Sequence, residues 1–179
     1  MARYEVRLSG SGGQGIILAG RILAHAAAIY EGKNAVQSQS YGPEARGGAS
    51  KAEVIISDED IDYPKCTRLD ALLSLTQEAL KKYLKDLKQD GILLADADAI
   101  KKIPPGGYRV IHKPFIQTAA QTVGKSIVAN IVALGALVQA TGVVSEEAIT
   151  QAVLNRVPKG TEDLNLQALR AGMALVTEG

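Results

Sequence analysis

A chain of 179 residues with 20 Lys plus Arg against 19 Asp plus Glu carries a formal net charge of +1, so it exerts no general pull on nucleic acid, anionic lipid or acidic substrates. Its single cysteine, Cys66, excludes an intrachain disulfide and falls short of the four thiolates that an iron–sulfur cluster normally takes. With no Trp and one Phe, stacking platforms for single-stranded nucleic acid are scarce as well.

The length suits one domain, 1–179, since a chain of this size buries roughly 70% of the surface it exposes when unfolded. The opening Met1-Ala2-Arg3-Tyr4-Glu5 lacks the charged-then-apolar order of a signal peptide, which places the protein in the cytoplasm by default. No repeat or low-complexity tract appears. Gly and Pro punctuate short apolar runs and helical patterns, the grammar of an α/β domain.

Val6 and Leu8 sit in a strand pattern that ends at the glycine cluster Gly10 to Gly15, and Ile16 to Tyr30 then reads as a helix with Arg21 and His25 as its polar stripe. Val36 anchors a second strand, a glycine-bearing loop spans Ser38 to Gly48, and Ala52 to Ile56 is a third strand. Ala71 to Leu75 is a buried parallel-type strand. Thr76 is placed to cap a helix in which Leu80, Tyr83, Leu84 and Leu87 recur at helical spacing. Asp90-Gly91 reads as a turn that starts the strand Ile92 to Ala95, and another strand covers Tyr108 to Ile111. Helical segments follow near 125–141, 145–155 and 162–177, with Ser145 as a cap. The apolar stretch Ile127 to Val144 holds about 15 helical residues where a membrane span needs about 20. A helix apolar on nearly every face points either to a central position or to a subunit contact. The expected architecture is a three-layer, Rossmann-like α/β domain with a mainly parallel sheet flanked by helices.

Gly10-Ser11-Gly12-Gly13-Gln14-Gly15 matches G-x-G-x-x-G between a strand and a helix, a turn that brings backbone amides close to a phosphate. A dinucleotide site also wants an acidic residue about 20 positions on, and Asn34, Ala35, Val36 and Gln37 stand there instead. Ser38 to Gly48 combines freedom at Gly42, Gly47 and Gly48 with stiffness at Pro43. In it Arg46 could pair with a carboxylate or phosphate, and Glu44 could hold Arg46 when no ligand is present. A solvated turn accounts for the same residues. Parallel strands put both loops at one edge of the sheet.

Other signals weaken on inspection. Val123-Gly124-Lys125-Ser126 lacks the first glycine and the preceding strand of a phosphate loop. Asp58, Asp60 and Asp62 alternate like calcium ligands, but Tyr63 and Leu69 stand where glycine and the closing glutamate belong. Asp96 and Asp98 at a strand end are explained by turn formation, and neither His25 nor His112 has a nucleophile or carboxylate at motif spacing. Lys65 and Arg68 beside Cys66 would favour its thiolate. No catalytic residue or metal site is assigned.

Taken together, Leu8-Ser9-Gly10-Ser11-Gly12-Gly13-Gln14-Gly15-Ile16 and Ser40-Tyr41-Gly42-Pro43-Glu44-Ala45-Arg46-Gly47-Gly48 resemble the gamma subunit, or corresponding fused domain, of the 2-oxoacid:ferredoxin (acceptor) oxidoreductase family. The second motif is the more specific. The resemblance implies a multisubunit complex that decarboxylates a 2-oxoacid on thiamine diphosphate and magnesium, passes electrons through iron–sulfur clusters to ferredoxin or another acceptor, and forms an acyl-CoA. This chain has no G-D-G motif of the thiamine type, so those cofactors are expected on alpha, beta and delta-type partner subunits. Its own expected share is structural, with coenzyme A positioned against Gly10, Ser11, Gly12, Gly13, Gln14, Gly15, Ser40, Tyr41, Gly42, Glu44, Arg46, Gly47 and Gly48. By itself it is not expected to be catalytic, and a partner-facing surface would let it self-associate. An indolepyruvate oxidoreductase subunit, a free-standing dinucleotide-binding module and an assembly protein without ligand are the alternatives.

Overall fold

The computed structural model describes residues 2–40 and 48–177. Their strands are β1 (Tyr4–Ser11), β2 (Asn34–Gln39), β3 (Ala49–Ser57), β4 (Leu69–Ser74), β5 (Leu87–Asp96) and β6 (Arg109–Lys113), joined in one sheet of order β2-β3-β1-β4-β5-β6. β3 is antiparallel to both β1 and β2, while β1, β4, β5 and β6 pair in parallel, so β3 alone runs against the rest. The expected mainly parallel α/β sheet is therefore present, with one reversed strand inside it.

The helices are α1 (Ile16–His25), α2 (Gln77–Tyr83), α3 (Phe115–Thr118), α4 (Ala129–Thr141), α5 (Glu146–Arg156) and α6 (Glu162–Thr177). Strand alternation sends Val6, Leu8, Ala52, Val54, Ile56, Ala71 and Leu73 to one face, where they pack with α1 and α3 to α6. Leu72, Leu93 and Ala95 go to the other, under α2, Ile100 and Tyr108. This second layer is thinner, and its sheet surface is partly charged. Buried Arg7 bonds Glu53 at 2.8 Å and Asp86 at 2.5 Å, with its guanidinium 5.1 Å from the Tyr83 ring centre.

The capping expectations hold: Thr76 Oγ1 accepts from Ala79 N at 3.1 Å, and Ser145 Oγ accepts from Ala148 N at 3.1 Å. α1 and the π-helical turn Ala26–Tyr30 that continues it together span the expected Ile16 to Tyr30. Other boundaries differ. α2 stops at Tyr83 and tightens into the 3-10 turn Leu84–Asp86, because Asp86 must reach Arg7 and Leu87 already pairs with Leu69 in the sheet. Asp90-Gly91 does not start a strand. β5 passes through it with a register shift, across which Lys88 Nζ meets Asp70 Oδ1 at 2.7 Å. α3 and the π turn Ala119–Val123 were not anticipated, and the expected 125–141 helix opens as a 3-10 turn at Ser126–Val128.

α4 settles the two readings of the apolar segment in favour of a central helix: every residue from Ala129 to Val138 is buried. Among the described residues no helix is long and apolar enough to cross a membrane. α4 and α6 meet backbone to backbone, since a Cβ on Gly135 would collide with Leu169 O and one on Gly172 with Val132 O. Helix backbones cannot shift locally to admit a methyl group without moving the whole crossing. Gly172→Ala should therefore cost about 3 kcal/mol in urea denaturation of the full chain, whereas Gln167→Ala on the exposed side of α6 should change stability by less than about 0.5 kcal/mol.

Candidate functional site

The connection from β1 goes outward to β2 and β3, with α1 on one face. The connection from β4 goes the opposite way to β5, with α2 on the other. The strand order thus reverses between β1 and β4, and in open α/β sheets ligands lie in the crevice beyond the strand ends at such a point. The glycine turn occupies it. β1 continues through Gly10 and Ser11 rather than stopping short of them, and Leu75 N donates to Ser9 O at 3.0 Å to hold the two strand ends together. Ser9 Oγ, fully buried, donates to Leu73 O at 2.8 Å and lies 2.9 Å from Ser74 Oγ.

Within the turn, Gln14 Oε1 accepts from Ser11 N at 2.7 Å, folding the side chain over Gly10, whose missing Cβ leaves that space. Gly12 and Gly13 are exposed, and Gly13, at φ 87, faces open space. Gly15 caps α1 at φ 75, without a side-chain hydrogen bond to the first-turn amides. These amides, with the helix dipole behind them, are the groups a phosphate would use. The Gly15 carbonyl accepts from Asn130 Nδ2 at 3.1 Å, and a Cβ on Gly15 would strike that same amide. Asn130 lies on the central helix α4 and is buried, so the turn is pinned from beneath. In the sequence Asn130 is an amide interrupting the apolar stretch Ile127 to Val144, and that interruption is the signal that could have found it.

Ser11 pairs with Ala49 and Gly10 with Ser50 in the β1–β3 register, while Ser40 N donates to Lys51 O at 3.2 Å. Ser40 and Gly48, the two ends of the second loop, are thereby seated beside the glycine turn, as the strand directions required. Ser40 Oγ is buried with no hydrogen-bond partner among the described residues. Tyr41, Gly42, Glu44, Arg46 and Gly47 lie outside the described residues. On the other side of the turn, a cavity of about 310 Å³ is lined by Gly13, Gly15, Leu18, Ile127, Asn130 and Leu164 among others.

The remaining candidates resolve simply. Asp96, fully buried, accepts from Asp98 N at 3.1 Å, Ala99 N at 2.9 Å and Ile116 N at 3.0 Å, which makes it a turn former. His112 Nε2 lies 2.7 Å from Ile100 O. Cys66 contradicts the thiolate expectation: burial, then the Glu53 and Glu5 carboxylates, push its thiol well above the ordinary range, outweighing nearby Arg7. No three His, Cys, Asp or Glu side chains cluster as a metal site among the described residues. With one cysteine in the chain, the thiolate set does not fit an iron–sulfur cluster. At pH 8 the folded protein should react with a thiol-specific alkylating agent far more slowly than the urea-unfolded chain, read by mass spectrometry at Cys66.

Residues 5–175 match the family model described as pyruvate ferredoxin/flavodoxin oxidoreductase. The chain belongs to that family. It is 52% identical over 178 residues to the 2-oxoglutarate synthase subunit KorC of Methanocaldococcus jannaschii, covering 98% of this chain and 95% of the relative. Among solved structures, the gamma subunit of a keto/oxoacid ferredoxin oxidoreductase from Geobacter sulfurreducens superposes with a TM-score of 0.90 at 57% identity, covering 98% and 99% of the two chains. The fold recurs with a TM-score of 0.88 at 24% identity in a 2-oxoglutarate:ferredoxin oxidoreductase from Magnetococcus marinus, where it spans 32% of that longer chain. The family resemblance carried by the two glycine-bearing motifs is borne out.

Proposed function

We propose that this chain is the gamma-type subunit of a 2-oxoacid:ferredoxin oxidoreductase, with 2-oxoglutarate as the substrate of the complex, and that its glycine turn positions coenzyme A. The observation that carries the subunit reading is the 57% identity to a gamma subunit over nearly the full length of both chains. The 52% identity to a 2-oxoglutarate synthase subunit favours that oxoacid. Thiamine diphosphate, magnesium and iron–sulfur clusters belong, in this reading, to alpha, beta and delta-type partners, which also reach ferredoxin. They supply the decarboxylation and the electron relay.

The share left to this chain is binding and orientation. A coenzyme A phosphate would sit at the uncapped first turn of α1, where Gly13 leaves room for it, with Arg46 supplying charge from the adjoining loop. Asn130 keeps Gly15 in the left-handed conformation the turn needs. A free-standing dinucleotide module is disfavoured, because β2 carries no acidic side chain for a ribose.

Two substitutions test the assignment in the assembled complex. Arg46→Ala removes a cation from the loop, and Gly12→Asp adds an anion to the turn at an exposed glycine outside the left-handed region. Each should raise the KM for coenzyme A about tenfold in 2-oxoglutarate-dependent reduction of an electron acceptor, with the subunits still co-purifying. An unchanged KM in both variants would overturn the coenzyme A role, and failure of the wild-type chain to co-purify with thiamine-binding and cysteine-rich subunits would overturn the subunit reading.

A further inference from the structure

A second collection of cations lies away from the glycine turn, at the far end of α1. There a cavity of about 340 Å³ is lined by Arg21 and His25 of α1, Ala28 and Ile29 of the π turn, Gln37 of edge strand β2 and Arg156 of α5, among others. No carboxylate is among the described residues lining it, and neither arginine is ion-paired among the described residues. By contrast, Arg7 is matched by Glu53 and Asp86, and Lys88 by Asp70. Here two guanidinium groups and an imidazole face one concavity with no carboxylate among its described lining residues.

Arg156 Nη2 donates to His25 Nδ1 at 3.1 Å, which leaves the imidazole neutral and its proton on Nε2. Burial and the Arg156 charge both lower the affinity of His25 for a second proton. The charged and titratable groups facing His25 are Arg21 on its own helix, Arg156 from α5 and the edge-on Tyr30 ring, whose centre is 5.5 Å away. Tyr30 is itself held by Asn155, whose side-chain amide donates to its hydroxyl. None of these groups brings negative charge.

We propose that the Arg21–His25–Arg156 cavity is a binding site for a phosphate group, as a phosphate monoester. Two guanidinium charges, one from α1 and one from α5, match a dianion, and a phosphate has three terminal oxygens to share between the two guanidinium forks and the imidazole. The volume exceeds that of the phosphate alone, and its apolar lining of Ala24, Ala28, Ile29 and Ala35 gives a small organic moiety a place to lie. The site stands independently of the coenzyme A assignment, since it shares no residue with the glycine turn.

The chain has only two histidines, His25 and His112. Two-dimensional NMR of the full-length protein at constant ionic strength therefore resolves the site, with His112 as internal reference because its Nε2 is tied to Ile100 O. Titration with inorganic phosphate or glycerol 3-phosphate should move the His25 resonances to saturation and raise its pKa, leaving His112 in place. Arg21→Gln and Arg156→Gln should each weaken the dissociation constant about tenfold or more, while Lys81→Gln leaves it unchanged. Tighter binding of glycerol 3-phosphate than of inorganic phosphate would identify an organic monoester as the source, and equal binding would identify free phosphate as sufficient. A His25 signal unmoved by either probe, an equal response to succinate, or phosphate binding undiminished in both arginine variants would overturn the proposal.

Discussion

The structure depends on the complete enclosure of α4. A helix with ten consecutive buried residues from Ala129 to Val138 can exist in a domain this small only if other elements surround it. The sheet supplies one side, and α1, α3, α5 and α6 supply the rest. Close approach to α6 at Gly135 and Gly172 makes that enclosure tight. The remaining architecture follows from it: five of the six helices gather on one face, and the other carries only α2 and the connection after β5.

This asymmetry has consequences for function. Asn130 is the one polar side chain that the buried stretch of α4 directs to the ligand edge, and its bond to the Gly15 carbonyl couples the centre of the core to the glycine turn. The turn is consequently part of a rigid scaffold even though Gly12 and Gly13 are open to solvent. Such a combination suits a surface whose task is to hold a partner's substrate in place, because orientation requires a fixed support and access requires an exposed backbone. The thin second layer, by contrast, tolerates charge on the sheet itself. Arg7 is buried there only because Glu53, Asp86 and the Tyr83 ring surround it.

Much of the candidate site was legible before any coordinates. The strand–glycine–helix unit and the two motifs named the family, and strand direction placed both loops at one edge. The reading failed where a side chain answers to a distant neighbour. Cys66 looked activated by Lys65 and Arg68, its neighbours in sequence, but its environment in space is burial beside Glu53 and Glu5. Asp90-Gly91 looked like a turn, but Lys88 reaching Asp70 draws it into a bulged strand.

By itself the sequence determined what is local: the alternation of Val6 and Leu8, the caps at Thr76 and Ser145, and the glycine turn, each set by the backbone preferences of a few adjacent residues. Only the tertiary structure decided the insertion of antiparallel β3 between β2 and β1, the end of α2 at Tyr83, the clasp of Asn130 on Gly15, and the meeting of Arg21 and His25 with Arg156. Arg156 and His25 are 131 positions apart, and Asn130 and Gly15 are 115 apart. Contacts at that separation are chosen by how layers pack, a property of the whole chain that no short window of residues contains.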